Sequence, residues 1–143
     1  MEDCIFCKIV KGEIPSFKVY EDDRVLAFAD INPVSPGHTL IIPKRHAANL
    51  VEISNEDLAA VHGASKRVMA GIEAALKPSG VACLQLNGPG VNQVVLHYHL
   101  HLIPKTPGGP ALPVSAWEIK PGDMDEIKST AERITAAMVL ERD

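Results

Sequence analysis

Residues Leu96-His97-Tyr98-His99-Leu100-His101-Leu102-Ile103-Pro104 set three histidines at every second position. A period of two belongs to an extended strand, where successive side chains point to opposite faces; a helix would scatter the rings around its circumference. On a strand, His97, His99 and His101 share one face, with neighbours about 6.6 Å apart at a rise of about 3.3 Å per residue. Tyr98, Leu100 and Leu102 share the other face and can enter a core. Histidine is the side chain that changes charge near neutral pH, so a row of three on a rigid backbone is a candidate active site.

The chain has 143 residues, a length suited to one domain around one core, and its apolar fraction of 46% is that of a globular protein. Its formal net charge of -4 comes without any long basic run, which argues against a nucleic-acid backbone as partner. The longest apolar runs, such as Leu40-Ile41-Ile42, fall far short of a membrane span. Met1-Glu2-Asp3 is acidic and no apolar stretch of signal-peptide type follows it, so no secretory signal is expected. Three cysteines do not make a disulfide framework. Reduced thiols in a cytoplasmic setting are the expectation.

No repeat or polar linker divides the sequence, so residues 1–143 read as a single unit. Phe17–Tyr20 and Val25–Ala29 read as two strands joined across the turn Glu21-Asp22-Asp23-Arg24. Asn32-Pro33-Val34-Ser35-Pro36-Gly37 breaks regular structure, and a third strand runs from His38 to Ile42, stopped by Pro43. Ser54 with Asp57 fits a capping box, and Leu58, Val61, Val68, Ile72 and Leu76 follow at helical spacing as far as Lys77-Pro78-Ser79-Gly80. Val81–Leu86 is a fourth strand, and the loop Asn87-Gly88-Pro89-Gly90 leads back to the histidine strand, which favours antiparallel pairing. Asp123 with Glu126 opens a second helix, from Ile127 to about Met138, with Ile127, Ala131, Ile134 and Met138 on one face. Five strands and two main helices in this order predict an α+β fold with an antiparallel sheet.

With these residues in view, His97–Ile103 resembles the His-φ-His-φ-His-φ-φ signature (φ, apolar) of the histidine-triad family of nucleotide hydrolases and transferases. Cys4–Val10, Gly12-Glu13-Ile14-Pro15, Tyr20–Asp23, Phe28–Pro33 and Pro36–Leu40 are similar to that family's N-terminal half in order and spacing. The likeness spans residues 4–105; residues 106–143 form a less diagnostic C-terminal extension that carries the second helix. The resemblance implies a homodimer joining two sheets edge to edge, and release of a nucleoside monophosphate, purine by family habit, from a leaving group. It implies His99 as the nucleophile, His101 as the contact to phosphate and leaving group, and His97 and His38 as the groups that orient His99. Ile5, Phe6 and Ile9 would form an apolar slot for the base. Asp30, with Ile31 beside it, would accept from ribose hydroxyls, and Asn87, Gln93 and the Val94 amide would hold the phosphate. Where the family usually has Gly-Gln followed by Ser or Thr, this chain has Asn92-Gln93-Val94, so Val94 offers only its backbone N–H. That leaves the range of leaving groups open.

No cofactor is needed for such chemistry, since protonated histidines can neutralise phosphate charge. Cys4-x-x-Cys7 is nevertheless a common half of a zinc site, and no preceding strand gives it a thioredoxin-like context. The resemblance extends to members holding a structural zinc, whose ligand positions correspond to Cys4, Cys7, His46 and His97. Two other readings stay open: a metal-dependent hydrolase whose histidine strand ligates the catalytic ion, and a nucleotide-binding scaffold with little turnover. Cys83 reads as a small apolar residue packed in its strand, His62 as a mid-helix histidine without a role, and Trp117 as a dimer-interface residue or an ordinary anchor.

Overall fold

The computed structural model describes residues 3–115 and 118–140; Trp117 lies outside them. Five strands, β1 (Lys18–Glu21), β2 (Val25–Ala29), β3 (Thr39–Pro43), β4 (Gly80–Gln85) and β5 (Leu100–Lys105), form one sheet in the order β1-β2-β3-β5-β4. Every neighbouring pair is antiparallel. The β1–β2 turn is closed by the Asp22 side chain, whose Oδ1 accepts from the amides of Arg24 at 2.8 Å and Val25 at 2.9 Å. Short carboxylate side chains favour this local arrangement.

Helix α2 (Asn55–Leu76) covers one face of the sheet, where Val61, Ala64, Val68 and Ile72 pack on Val25, Ala27, Ile41, Tyr98, Leu100 and Leu102. A short helix, α1 (Ile5–Val10), covers the other face with Phe6 and Ile9 against Leu26, Phe28, Leu40 and Ile42. Layers on both faces explain why β2 and β3 read as nearly continuous apolar runs. Ser54 caps α2 by accepting from the Asp57 amide at 3.1 Å. The predicted capping box is only half formed, because the buried Asp57 carboxylate turns to Arg24 at 3.1 Å and Arg45 at 3.7 Å. Leu76, predicted on the buried stripe, is half exposed. It lies over Gly37, whose φ of +93° and crowding by Leu76 and Pro104 leave no room for a Cβ at the turn that delivers His38.

Two further expectations are corrected. The histidine strand does not begin at Leu96: ladder pairing starts at Leu100, so His97 and His99 precede β5 and only His101 lies in it. The reason is that the Tyr98 amide donates to the Ala47 carbonyl at 2.7 Å and the His97 carbonyl accepts from the His99 ring at 2.7 Å, which spends those groups outside a ladder. Cys83 is exposed on β4, an edge strand, instead of packed. Helix α1 was not foreseen, since six residues carry too little periodicity to register.

Helix α3 (Met124–Leu140) begins slightly earlier than predicted, with Asp123 Oδ1 accepting from the amides of Asp125 and Glu126. Its side chains from Met124 to Met138 are exposed along their whole length. Among the described residues no helix is long and apolar enough to cross a membrane.

Candidate active site

Strand β5 and the segments leading into β3 and β5 bring four imidazoles together, and their tautomers follow from their partners. His99 lies with its Nδ1 2.7 Å from the His97 carbonyl oxygen, which can only accept, so Nδ1 carries the proton. The Nε2 of His99 is left with the lone pair. His38 Nδ1 accepts from the Val34 amide at 3.0 Å, which puts the His38 proton on Nε2. That proton is given to His101 Nδ1 at 2.9 Å, and the His101 proton must therefore sit on Nε2. Among the described residues the buried His101 Nε2 has no hydrogen-bond partner. One unshared lone pair and one unshared N–H thus belong to adjacent rings, His99 and His101, with centroids 4.9 Å apart. Phe6 presents its edge geometry to His99 at 5.1 Å and to His97 at 5.9 Å, closing the site from the α1 side.

Burial keeps these rings neutral. It pulls His101 from the usual 6.5 to about 4, helped by the neighbouring His99 and His38 rings and opposed by Asp30. His99 and His38 are held below the usual value for the same first reason, and Asp30 opposes the shift in both. The Asp30 carboxylate stands 3.5 Å from His38 Nε2, and its other oxygen accepts from the Asn32 amide at 2.8 Å. A neutral imidazole can act as nucleophile or base, and a neutral N–H as a donor to developing charge.

His97 faces a second cluster. Its Nε2 donates to the Pro43 carbonyl at 2.8 Å, leaving Nδ1 as a lone pair 3.3 Å from Cys4 Sγ, 3.6 Å from Cys7 Sγ and 3.2 Å from His46 Nδ1. Cys7 Sγ is 3.3 Å from His46 Nδ1, and all four ligand atoms lie within 4.8 Å of one another. A tetrahedral zinc ion about 2.3 Å from sulfur and about 2.0 Å from nitrogen needs its donors roughly 3.3–3.8 Å apart. The donor set fits such an ion in both chemistry and span, and the Pro43 carbonyl supplies the outer hydrogen bond that fixes a ligating imidazole. The three triad rings do not converge on one ion: His97 belongs to the cysteine cluster, His101 to a group with Asp30 and His38, and His99 to neither. This weighs against the catalytic-metal reading.

Residues 11–108 match the family model described as the HIT domain, more than half of the chain. The chain belongs to the HIT family. It is 41% identical over 141 residues to protein hit of Bacillus subtilis, covering 95% of this chain and 97% of that one. It is 44% identical over 133 residues to adenosine 5'-monophosphoramidase hnt1 of Schizosaccharomyces pombe, covering 93% and 96%. It also superimposes on the crystal structure of the histidine triad nucleotide-binding protein from Candida albicans with a TM-score of 0.82 at 36% identity, covering 96% and 98%. The antiparallel five-stranded sheet with flanking helices is the arrangement this HIT protein shares with that neighbour.

Within the HIT fold, the sequence-predicted residues divide into three groups. His38, His97, His99, His101, Asp30 and Phe6 are brought together, as are Cys4, Cys7, His46 and His97. Ile9 is buried in the core under α1, while Ile5 is half exposed and Ile31 and Val94 present their side chains to solvent. The loop amides are engaged elsewhere. Gln93 is buried, with Oε1 accepting from the Gly88 amide at 2.7 Å and Nε2 donating to the Ala48 carbonyl at 2.6 Å. Asn87 pairs reciprocally with Gln85 and accepts from the Leu50 amide at 2.8 Å. Sequence reasoning missed the carbonyls of Pro43 and Ala47 and the amide of Val34, since backbone groups leave no residue-type signal. His62, given no role from the sequence, is a satisfied histidine whose Nε2 lies 3.0 Å from the Tyr98 hydroxyl; a tyrosine that faces a core needs a partner for its hydroxyl.

Proposed function

We propose that this protein hydrolyses purine nucleoside phosphoramidates or related nucleotidyl conjugates, releasing nucleoside 5'-monophosphate through a covalent intermediate on His99. The observation that carries this reading is the pairing of an unshared lone pair on His99 Nε2 with an unshared N–H on His101 Nε2. His99 Nε2 attacks the α-phosphorus, and the bond from phosphorus to the leaving nitrogen breaks. His101 Nε2–H donates a hydrogen bond to the departing group, and the leaving nitrogen takes its proton from solvent. The adduct ring, protonated at Nδ1, is positively charged and rests against the His97 carbonyl. Water then attacks phosphorus and loses its proton to solvent, and the bond from phosphorus to His99 breaks, returning the His99 ring to its neutral form. The names of the fission-yeast and Candida albicans relatives, adenosine 5'-monophosphoramidases at 44% and 38% identity, support the leaving-group class.

In this reading Ile5, Phe6, Ile9 and Ile31 contact the base, and Asp30 the ribose. The Val94 amide and the Asn87 Nδ2, once released from Gln85, reach the phosphate, while Gln93 shapes the loop between them. Cys4, Cys7, His46 and His97 hold a structural zinc ion, which supplies a fixed point for the N-terminal segment and takes no part in the chemistry. Thiols that must stay reduced to do so fit a cytoplasmic setting. Two copies associate through the open edge of β4 and the apolar face of α3.

The test is a brief incubation with adenosine 5'-phosphoramidate followed by acid-free quench and peptide mass analysis. A mass gain of one adenylyl group on His99, absent from His99→Asn, is expected. Turnover persisting in His99→Asn would refute the assignment.

A further inference from the structure

The nucleophile precedes the sheet ladder, so the sheet alone does not fix its position. From Gln93 to His99 the chain is irregular, and β5 pairing begins only at Leu100. The peptide between His97 and His99 is Tyr98, and it is anchored on two sides. Its amide donates to the Ala47 carbonyl at 2.7 Å, and its ring enters the core under α2 with 1% of its surface exposed. At the far end of that ring the hydroxyl meets His62 Nε2 at 3.0 Å. His62 itself sits on the exposed face of α2, in the middle of the longest helix of the fold.

We propose that Tyr98 and His62 form a positioning pair that sets the angle of the His99 ring. The proposal rests on the reading of His99 as nucleophile and names a group that acts on it through the backbone. Tyr98 and the two histidines share consecutive peptide units. The His97 carbonyl and the Tyr98 amide belong to one peptide unit. A displacement of the Tyr98 backbone therefore swings that carbonyl, which holds His99 Nδ1 at 2.7 Å, and the anchored ring opposes the displacement. A rigid ring with a hydrogen bond at its tip resists that displacement far better than a ring held by apolar contact alone. Helix α2 is the fixed body against which the angle is set. Small errors of aim at a nucleophile lower its rate of attack more than they lower substrate affinity. Neither residue touches substrate, so both are positioning residues.

The experiment compares Tyr98→Phe, His62→Ala and the double variant with the parent protein, using single-turnover formation of the adenylyl adduct from adenosine 5'-phosphoramidate. Tyr98→Phe keeps the buried ring, and His62→Ala lies on an exposed helical face, so neither change threatens folding. Each single variant is expected to form the adduct about five- to tenfold more slowly at saturating substrate, with half-saturation unchanged. The double variant is expected to be no slower than either single one, because both remove the same bond. His62→Gln, which places an amide group where Nε2 stood, should recover most of the rate. The idea is overturned by an unchanged adduct rate in His62→Ala, even if its melting temperature drops, since that is the behaviour of a purely structural bond. Losses that multiply in the double variant would overturn it equally. If the parent itself forms no adduct on His99, the fault lies in the functional reading and not in the pair.

Discussion

At the scale of single residues, the site works by burying histidines that water would otherwise protonate. His101 is drawn from the usual 6.5 to about 4 chiefly by burial, and its Nδ1 is already occupied by the His38 proton. Charging it would add a proton at Nδ1, the position into which His38 already donates. The unfolded chain has no such restriction and binds a proton near pH 6.5. Between these values the unfolded state carries more protons than the folded one, so stability rises with pH there. The contribution is fully present above pH 6.5 and is lost as the pH falls through about 4; for His101 alone it is on the order of 3 kcal/mol. His38 and His99, lowered for the same cause, add in the same direction. The denaturation midpoint in urea should therefore fall steadily from pH 7 to pH 4. In His101→Gln, which cannot titrate, the fall should be shallower. An identical pH profile for both proteins would show that His101 is not held neutral by the fold.

At the scale of elements, the periodicity of His97–His101 told the truth about faces and misled about pairing. Tyr98, Leu100 and Leu102 do enter the α2 core and the histidines do face α1, because alternation reports side-chain direction in any extended segment. Whether such a segment joins a ladder depends on distant backbone groups, here the Ala47 carbonyl, which no local pattern encodes. Helix α2 was legible for the opposite reason: 22 residues give many turns of one periodic stripe. Gln93 shows the limit at the site, for its residue type fits a phosphate donor and a buried loop brace equally well, and only tertiary contacts decide. Helix α3 is legible as an amphipathic element whose apolar face stays exposed among the described residues. Ile127, Ile134 and Met138 are each more than half exposed on it. In the proposed dimer a second copy would cover this exposed apolar stripe and the open edge of β4. Sedimentation equilibrium should return twice the chain mass, and replacing Ile134 and Met138 with Glu should shift it toward one chain. A parent protein that sediments as one chain at micromolar concentration would remove the dimer from the proposal.

At the scale of the whole molecule, the cysteine cluster is the point where separate parts of the fold are tied together. Helix α1 has six residues, too few to persist alone, and it is held to the sheet by Phe6 and Ile9. Cys4 caps it and Cys7 lies within it, while His46 follows β3 and His97 precedes β5. An ion shared by these four residues would join three segments far apart in sequence at the wall of the active site. Closing such long loops restrains the unfolded chain, and ligand binding to the folded state alone adds stability by mass action. The protein as purified should contain about one zinc per chain by elemental analysis. Exhaustive treatment with a strong chelator should lower the melting temperature by several degrees, and added zinc should restore it. Amide exchange should then quicken first in residues 5–10, since α1 loses its anchor while the five-stranded sheet keeps its ladders. Because Phe6 covers His99, the freed helix should also weaken binding of adenosine monophosphate without abolishing adduct formation. Two results would contradict this account: zinc-free protein whose melting and exchange match the loaded form, or chelation that stops the chemistry while leaving α1 protected.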